Sequence, residues 1–178
     1  MQHSMLVAMT GTPGTGKTAV CERLREEGYH IVNLNELAFE SNTVVGVDPE
    51  RDVDIVDVDA LREKVRGLEN DVIFLDGHFS HLMDVDLSIV LRCNPNELKK
   101  RLEAKNWNEK KVKENVEAEA VDVVTIESVE SVEETYEVDT TRRTVDQTVE
   151  TVLRIVEGQR DDHRVGQIDW SEVILDWY

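Results

Sequence analysis

The chain has 178 residues, 38 of them acidic and 20 basic, for a formal net charge of -18. That excess argues against general nucleic-acid affinity, which needs a basic footprint, and reads as a solvated acidic surface suited to a high-salt cytoplasm. With 40% apolar residues and only 9 Gly and 3 Pro, the composition is neither disordered nor fibrous, and a chain this long buries roughly two-thirds of its unfolded surface in one core.

From the amino end, Met1-Gln2-His3-Ser4 leads into the apolar run Met5 to Thr10, too short for a signal peptide or a membrane span. A cytoplasmic protein with no membrane partner is expected. Met5 to Met9 reads as a buried strand, and Lys17 to Glu27 as a helix closed by Gly28. His30 to Asn33 offers a second strand. Val58 to Gly67 carries Leu61, Val65 and Leu68 at helical spacing behind the capping candidates Asp57 and Asp59. The continuous apolar runs Val72 to Leu75 and Val85 to Leu91 have the form of strands buried on both faces of a parallel sheet.

Asn94-Pro95-Asn96-Glu97 sets a cap, a first-turn proline and an N3 glutamate in order, which predicts a helix to about Ala104. Asn108 caps the next. From Glu109 to Glu134 there is no Gly or Pro, and the stripe Val112, Val116, Ala120, Val123 and Val124 predicts one long amphipathic helix. Tyr136 to Thr141 follows as a strand and Thr144 to Val156 as a last helix. The stretch from Gly158 to Gly166 is polar and reads as a linker to a short tail in which Trp170, Ile174 and Trp177 suit one or two helical turns. Cys21 and Cys93 lack any C-x-x-C partner and read as two buried thiols. The β and α order implies an α/β fold, a parallel sheet flanked by helices, with ligands at the carboxyl ends of the strands.

The chemistry concentrates at Gly11-Thr12-Pro13-Gly14-Thr15-Gly16-Lys17-Thr18, which has the spacing G-x-x-x-x-G-K-[ST] between a predicted strand and a predicted helix. Glycines let backbone N–H groups turn toward a β-phosphate, Lys17 reaches the β/γ-phosphates, and the Thr18 hydroxyl can ligate magnesium. Asp76 ends an apolar strand, where a P-loop protein needs a carboxylate facing the metal's water shell. His78, two residues on, points the same way in an extended segment and can orient an attacking water or polarise a phosphoryl oxygen. His81 is a weaker candidate. Arg101, Lys105, Lys110, Lys111 and Lys113 form a basic stretch in an acidic chain, suited to a mobile lid over phosphates.

The P-loop in this form, the segment Val32 to Ala38, the triplet Asp76-Gly77-His78 and the stretch Arg101 to Glu119 together resemble the adenylate kinase isoenzyme 6 family. Its members are small archaeal and eukaryotic adenylate kinase-like ATPases linked to ribosome biogenesis. The likeness spans about residues 5 to 157. It implies a three-layer P-loop fold in residues 1 to 157, followed by a linker and tail in 158 to 178. It also implies a broad-specificity nucleoside monophosphate kinase with ATPase activity, which uses ATP and Mg2+ and transfers the γ-phosphate to AMP or water. The implied partners are a platform ribosomal protein and the small-subunit precursor particle, late in maturation.

Carried over by motif, Gly14, Gly16, Lys17, Thr18 and Ala19 hold ATP. Residues 33 to 56 form the monophosphate-binding region, and about 104 to 114 the lid. Thr18 and Asp76 serve the metal, and His78 the attacking group. In two places the chain departs from the pattern. Lys105 stands where relatives often have Arg, turning a planar clamp into a point charge. Arg51 is the only basic residue among Asp48, Glu50, Asp52, Asp54, Asp57 and Asp59, which favours hydrolysis over kinase turnover unless Arg92 or Arg101 reaches in. Two other readings stay open: an ATP-driven assembly factor that releases a bound ribosomal protein, and a P-loop kinase for another small molecule.

Overall fold

Residues 3–50 and 53–178 are described by the structure, a computed structural model; Arg51 and Asp52 lie outside them. The elements are β1 (Met5–Thr10), α1 (Lys17–Glu26), β2 (His30–Asn33), α2 (Leu34–Glu40), β3 (Val44–Asp48), β4 (Val53–Val56), α3 (Val58–Arg66) and β5 (Val72–Asp76). There follow β6 (Leu87–Arg92), α4 (Pro95–Ala104), α5 (Glu109–Ala120), α6 (Val123–Ser131), β7 (Thr135–Asp139), α7 (Val145–Val156) and α8 (Ser171–Leu175). Five strands form one parallel sheet in the order β2-β5-β1-β6-β7, and β3 pairs antiparallel with β4 as a separate hairpin.

Alternation along the central strands sends side chains to both faces, so both are apolar. Val7, Met9, Phe74, Ile89 and Leu91 pack against Val20 and Leu24 of α1 and Val149, Val152 and Ile155 of α7. Leu6, Ile73 and Leu75 face Leu34 and Ala38 of α2 and Leu61 and Val65 of α3. Of the predicted caps, Asp57, Asn94 and Asn108 accept from Ala60 N, Asn96 N and Lys111 N, while Asp59 lies inside α3; Thr144, not singled out as a cap by the sequence, makes a capping box with Gln147. Each is worth about 1 kcal/mol. Cys21 and Cys93 are both buried free thiols.

The predicted long helix from Glu109 to Glu134 is two helices. The break falls at Val121–Asp122, where Asp122 takes φ 60. Its cause is tertiary: the Arg92 guanidinium pairs with the Asp122 carboxylate and donates to the Glu119 carbonyl at 3.2 Å, turning the chain where no Gly or Pro marks the place. Of the predicted strand from Val85, β6 takes only Leu87 onward; at Asp86 the backbone N–H donates to Leu6 O at 2.9 Å, while the carboxylate accepts from the Leu6 N–H at 2.8 Å. The segment read as a linker is mostly exposed but tied down at two points. Arg160 Nε donates to Ile155 O at 2.8 Å, and Arg164 bridges antiparallel to Tyr136. No helix among the described residues is long and apolar enough to cross a membrane.

Candidate active site

The loop between β1 and α1 runs through left-handed backbone at Gly11 (φ 139), Gly14 (φ 93) and Gly16 (φ 110). At Gly11 space forbids a side chain as well, since a Cβ would lie 2.5 Å from the backbone Leu91 O; at Gly14 it would crowd the Leu102 side chain, 2.7 Å from Cδ2. The turn closes on itself, with Thr15 N and Oγ1 both donating to Thr12 O at 3.2 and 2.8 Å. Helix α1 has no side-chain cap, so its first N–H groups face the loop as an anion site.

Lys17 Nζ donates to Gly11 O at 2.7 Å and Thr12 O at 3.1 Å. Burial pushes its pKa down to about 8, against the opposing pull of Asp76. Asp76 ends β5 with 8% of its surface exposed. Burial raises its pKa, Lys17 opposes, and its carboxylate accepts no hydrogen bond from any described residue.. One such orphan carboxylate with the exposed Thr18 hydroxyl is a donor set suited to Mg2+, which draws its other ligands from phosphate and water.

A cleft of about 870 Å³ opens over the carboxyl ends of the strands. Of the site residues expected from the sequence, Gly14, Gly16, Lys17, Thr18, Ala19, Asp76, His78 and Lys105 line it. Although His78 keeps open surface toward the cleft, desolvation by its walls, then Lys17 and His81, pushes its pKa down to about 4, leaving a neutral imidazole at pH 7. His81 is a prop rather than a wall of the cleft. It is 1% exposed, with Nδ1 2.8 Å from Thr10 Oγ1 and Nε2 3.0 Å from Glu127, while Thr10 Oγ1 donates to the His78 carbonyl at 3.1 Å.

The basic stretch divides. Arg101 and Lys105 line the cleft, whereas Lys113 pairs with Glu117 on the outer face of α5 at 3.9 Å. Lys111 Nζ sits 4.0 Å over the Trp107 ring, and Trp107 also lines the cleft. Arg101 braces the loop, donating to Gly14 O at 3.5 Å and Thr140 O at 3.1 Å. Arg92 does not reach the cleft. It is 1% exposed, held by Glu119 at 2.7 Å and by Glu137 and Asp122. Arg51 lies outside the described residues.

A second hollow of about 610 Å³ adjoins the cleft, sharing Asn35 and His78 with it and walled by Val47, Val53 and Val56 of the hairpin and by Phe79. The expected monophosphate-binding region, residues 33 to 56, takes in Asn35, Val47, Val53 and Val56 of this hollow, whereas sequence reasoning missed Phe79 and, on the cleft's far side, Thr140 and Arg143. It also missed Glu119, whose carboxylate takes the Thr12 hydroxyl at 2.8 Å.

The family described as AAA domain matches residues 7–122. A protein of Archaeoglobus fulgidus named "Putative adenylate kinase" is 42% identical over 177 residues, covering 97% of this chain and 95% of its own. One of the same name from Pyrococcus abyssi is 43% identical over 170 residues, covering 95% and 93%. Among solved structures, shikimate kinase from Acinetobacter baumannii in complex with shikimate superposes with a TM-score of 0.62 at 11% identity, over 89% of this chain and 96% of that one. TT1252 from Thermus thermophilus gives 0.60 at 20%, over 88% and 98%, and both speak to fold alone. With the phosphate loop, the parallel sheet and relatives matched along nearly their full lengths, the chain belongs to the adenylate kinase-like family of P-loop proteins.

Proposed function

We propose that the chain is an adenylate kinase of the isoenzyme 6 type, moving the γ-phosphate of ATP to AMP and, more slowly, to water. The observation that carries the reading is the shared wall. His78 and Asn35 border both the phosphate-loop cleft and the hollow under the hairpin, so a triphosphate end and an acceptor would meet beside them. The hollow's Val47, Val53 and Phe79 suit the flat apolar face of a nucleobase.

Phosphoryl transfer spreads negative charge over the moving group, so catalysis is positioning plus fixed positive potential. In this reading the N–H groups at the start of α1 and the Lys17 ammonium hold the β- and γ-phosphates. Arg101 and Lys105 supply charge from the lid side. Thr18 and Asp76 would hold Mg2+, which neutralises phosphate charge when bound. His78, neutral at pH 7, accepts or donates a hydrogen bond at the acceptor oxygen.

The ATPase side of the proposal has its own support. Asp54 lines the acceptor hollow, and a carboxylate there weakens the hold on a dianionic monophosphate. An acceptor panel tests the whole. AMP with Mg-ATP should give ADP faster than other nucleoside monophosphates do; a panel with no monophosphate phosphorylated would remove the kinase reading. Acceleration of ATP hydrolysis alone by a basic small-subunit platform ribosomal protein would move the weight to the assembly-factor reading.

A further inference from the structure

The P-loop is tied to the carboxyl-terminal tail through a buried cluster in which acidic groups outnumber the cation. Arg92 meets three carboxylates, of Glu119, Glu137 and Asp122. Glu119 and Glu137 are 2% and 4% exposed. One guanidinium cannot satisfy three carboxylates, so neutral donors must supply the rest. Two of those donors come from the tail: Trp170 Nε1 donates to Glu119 Oε1 at 3.3 Å, and Gly166 N to Glu137 Oε2 at 3.3 Å. The Trp170 ring also lies against the guanidinium, with Arg92 Cζ 5.9 Å from its centroid.

The other end of the cluster is the loop. Glu119 Oε1 accepts from Arg92 Nε, Cys93 N and Trp170, which fixes the carboxylate plane and leaves Oε2 for the Thr12 hydroxyl at 2.8 Å. Thr12 is 1% exposed, and its carbonyl is where Lys17 Nζ and both Thr15 donors end. A shift of the Thr12 backbone on losing that anchor therefore moves one of the two carbonyls on which Lys17 Nζ rests, the other being Gly11 O at 2.7 Å.

We propose that Trp170 is a positioning residue of the nucleotide site, holding the P-loop in its phosphate-ready shape through the Glu119 carboxylate and the Thr12 hydroxyl. The inference rests on reading Gly11 to Thr18 as the triphosphate cradle. The tail is then a working part of the ATP side of the cleft and has no bearing on the acceptor side.

The test is equilibrium binding of Mg-ATP to the full chain and its variants. Trp170→Phe keeps a ring on Arg92 and deletes only the N–H; Thr12→Val keeps the shape and deletes the hydroxyl. Each should weaken ATP binding roughly fivefold, the lower range of coupling between sites. Together they should cost clearly less than the product of the two, because both act through Glu119. Steady-state KM for ATP should rise while kcat and the acceptor KM hold. Trp177→Phe is the control. Its Nε1 donates to Asn96 Oδ1 at 3.0 Å, away from the cluster, and ATP binding should not change.

A Trp170→Phe chain that loses thermal stability yet binds ATP as the parent does would overturn the proposal, as would effects that simply multiply. A parent chain that does not bind Mg-ATP at all would instead remove the underlying reading of the loop.

Discussion

On the triphosphate wall of the cleft, Lys17 and Asp76 are 9% and 8% exposed, and the loop is tied by Thr12, Thr15, Arg101 and Thr140. On the hairpin wall Val47 and Val53 stand 58% and 40% exposed, and among the described residues their strands pair only with each other. One wall is preorganised by the core; the other spends apolar side chains on solvent. Fixed groups suit phosphoryl chemistry, where small displacements are costly, while a hairpin free of the main sheet can close over an acceptor. Exposed valines gain a reason if a base covers them.

The largest effect belongs to the fixed wall. Lys17→Ala should lower phosphoryl transfer by about a thousandfold, in the range of removing one fixed electrostatic stabiliser, and near-normal turnover would break the contrast at its strongest point. His78→Ala comes next. It should cut turnover on the order of a hundredfold with ATP affinity nearly kept, and equal losses in ATP binding and turnover would make it a binding residue instead. The hairpin should answer differently. Val47→Ser, at an exposed site, should raise the acceptor KM roughly fivefold while leaving KM for ATP and the melting temperature in place. A rise in KM for ATP would mean the two walls are not separate.

The smallest effect is protonic. The Lys17 amine is lowered to about 8 from 10.5 in the free site, and phosphates favour its ammonium form. ATP affinity should thus be level below about pH 8 and fall above it, and binding just above pH 8 should take up protons, seen as binding heats that depend on the buffer's ionisation enthalpy. His78, pushed down to about 4, should add no limb near pH 6.5 to the kcat profile, and a limb there would assign the imidazole a charged role.

The same division governs what could be read before any coordinates. The sheet, the loop and the helix caps were legible because they obey local rules: apolar runs of strand length, Gly at left-handed positions, Asn and Asp before helices. The hairpin was not, since β3 and β4 are short, half exposed and without alternating polarity, and only the family likeness marked residues 33 to 56. The break after α5 was invisible because its cause, Arg92, lies 30 residues before Asp122. Arg92 itself was read as a cation available to substrate, whereas the carboxylates of Glu119, Glu137 and Asp122 hold it inside; no spacing in the sequence pairs them. For the site, the motif residues fall on one cleft, but Thr12, Glu119 and Trp170 meet only through the fold.

The fate of the γ-phosphate separates the readings most directly. With ATP labelled at that position, Mg2+ and AMP present, the account predicts that most label appears in ADP, at a rate well above its release as inorganic phosphate when AMP is omitted. Label recovered only as inorganic phosphate, at the same rate with and without AMP, would contradict it.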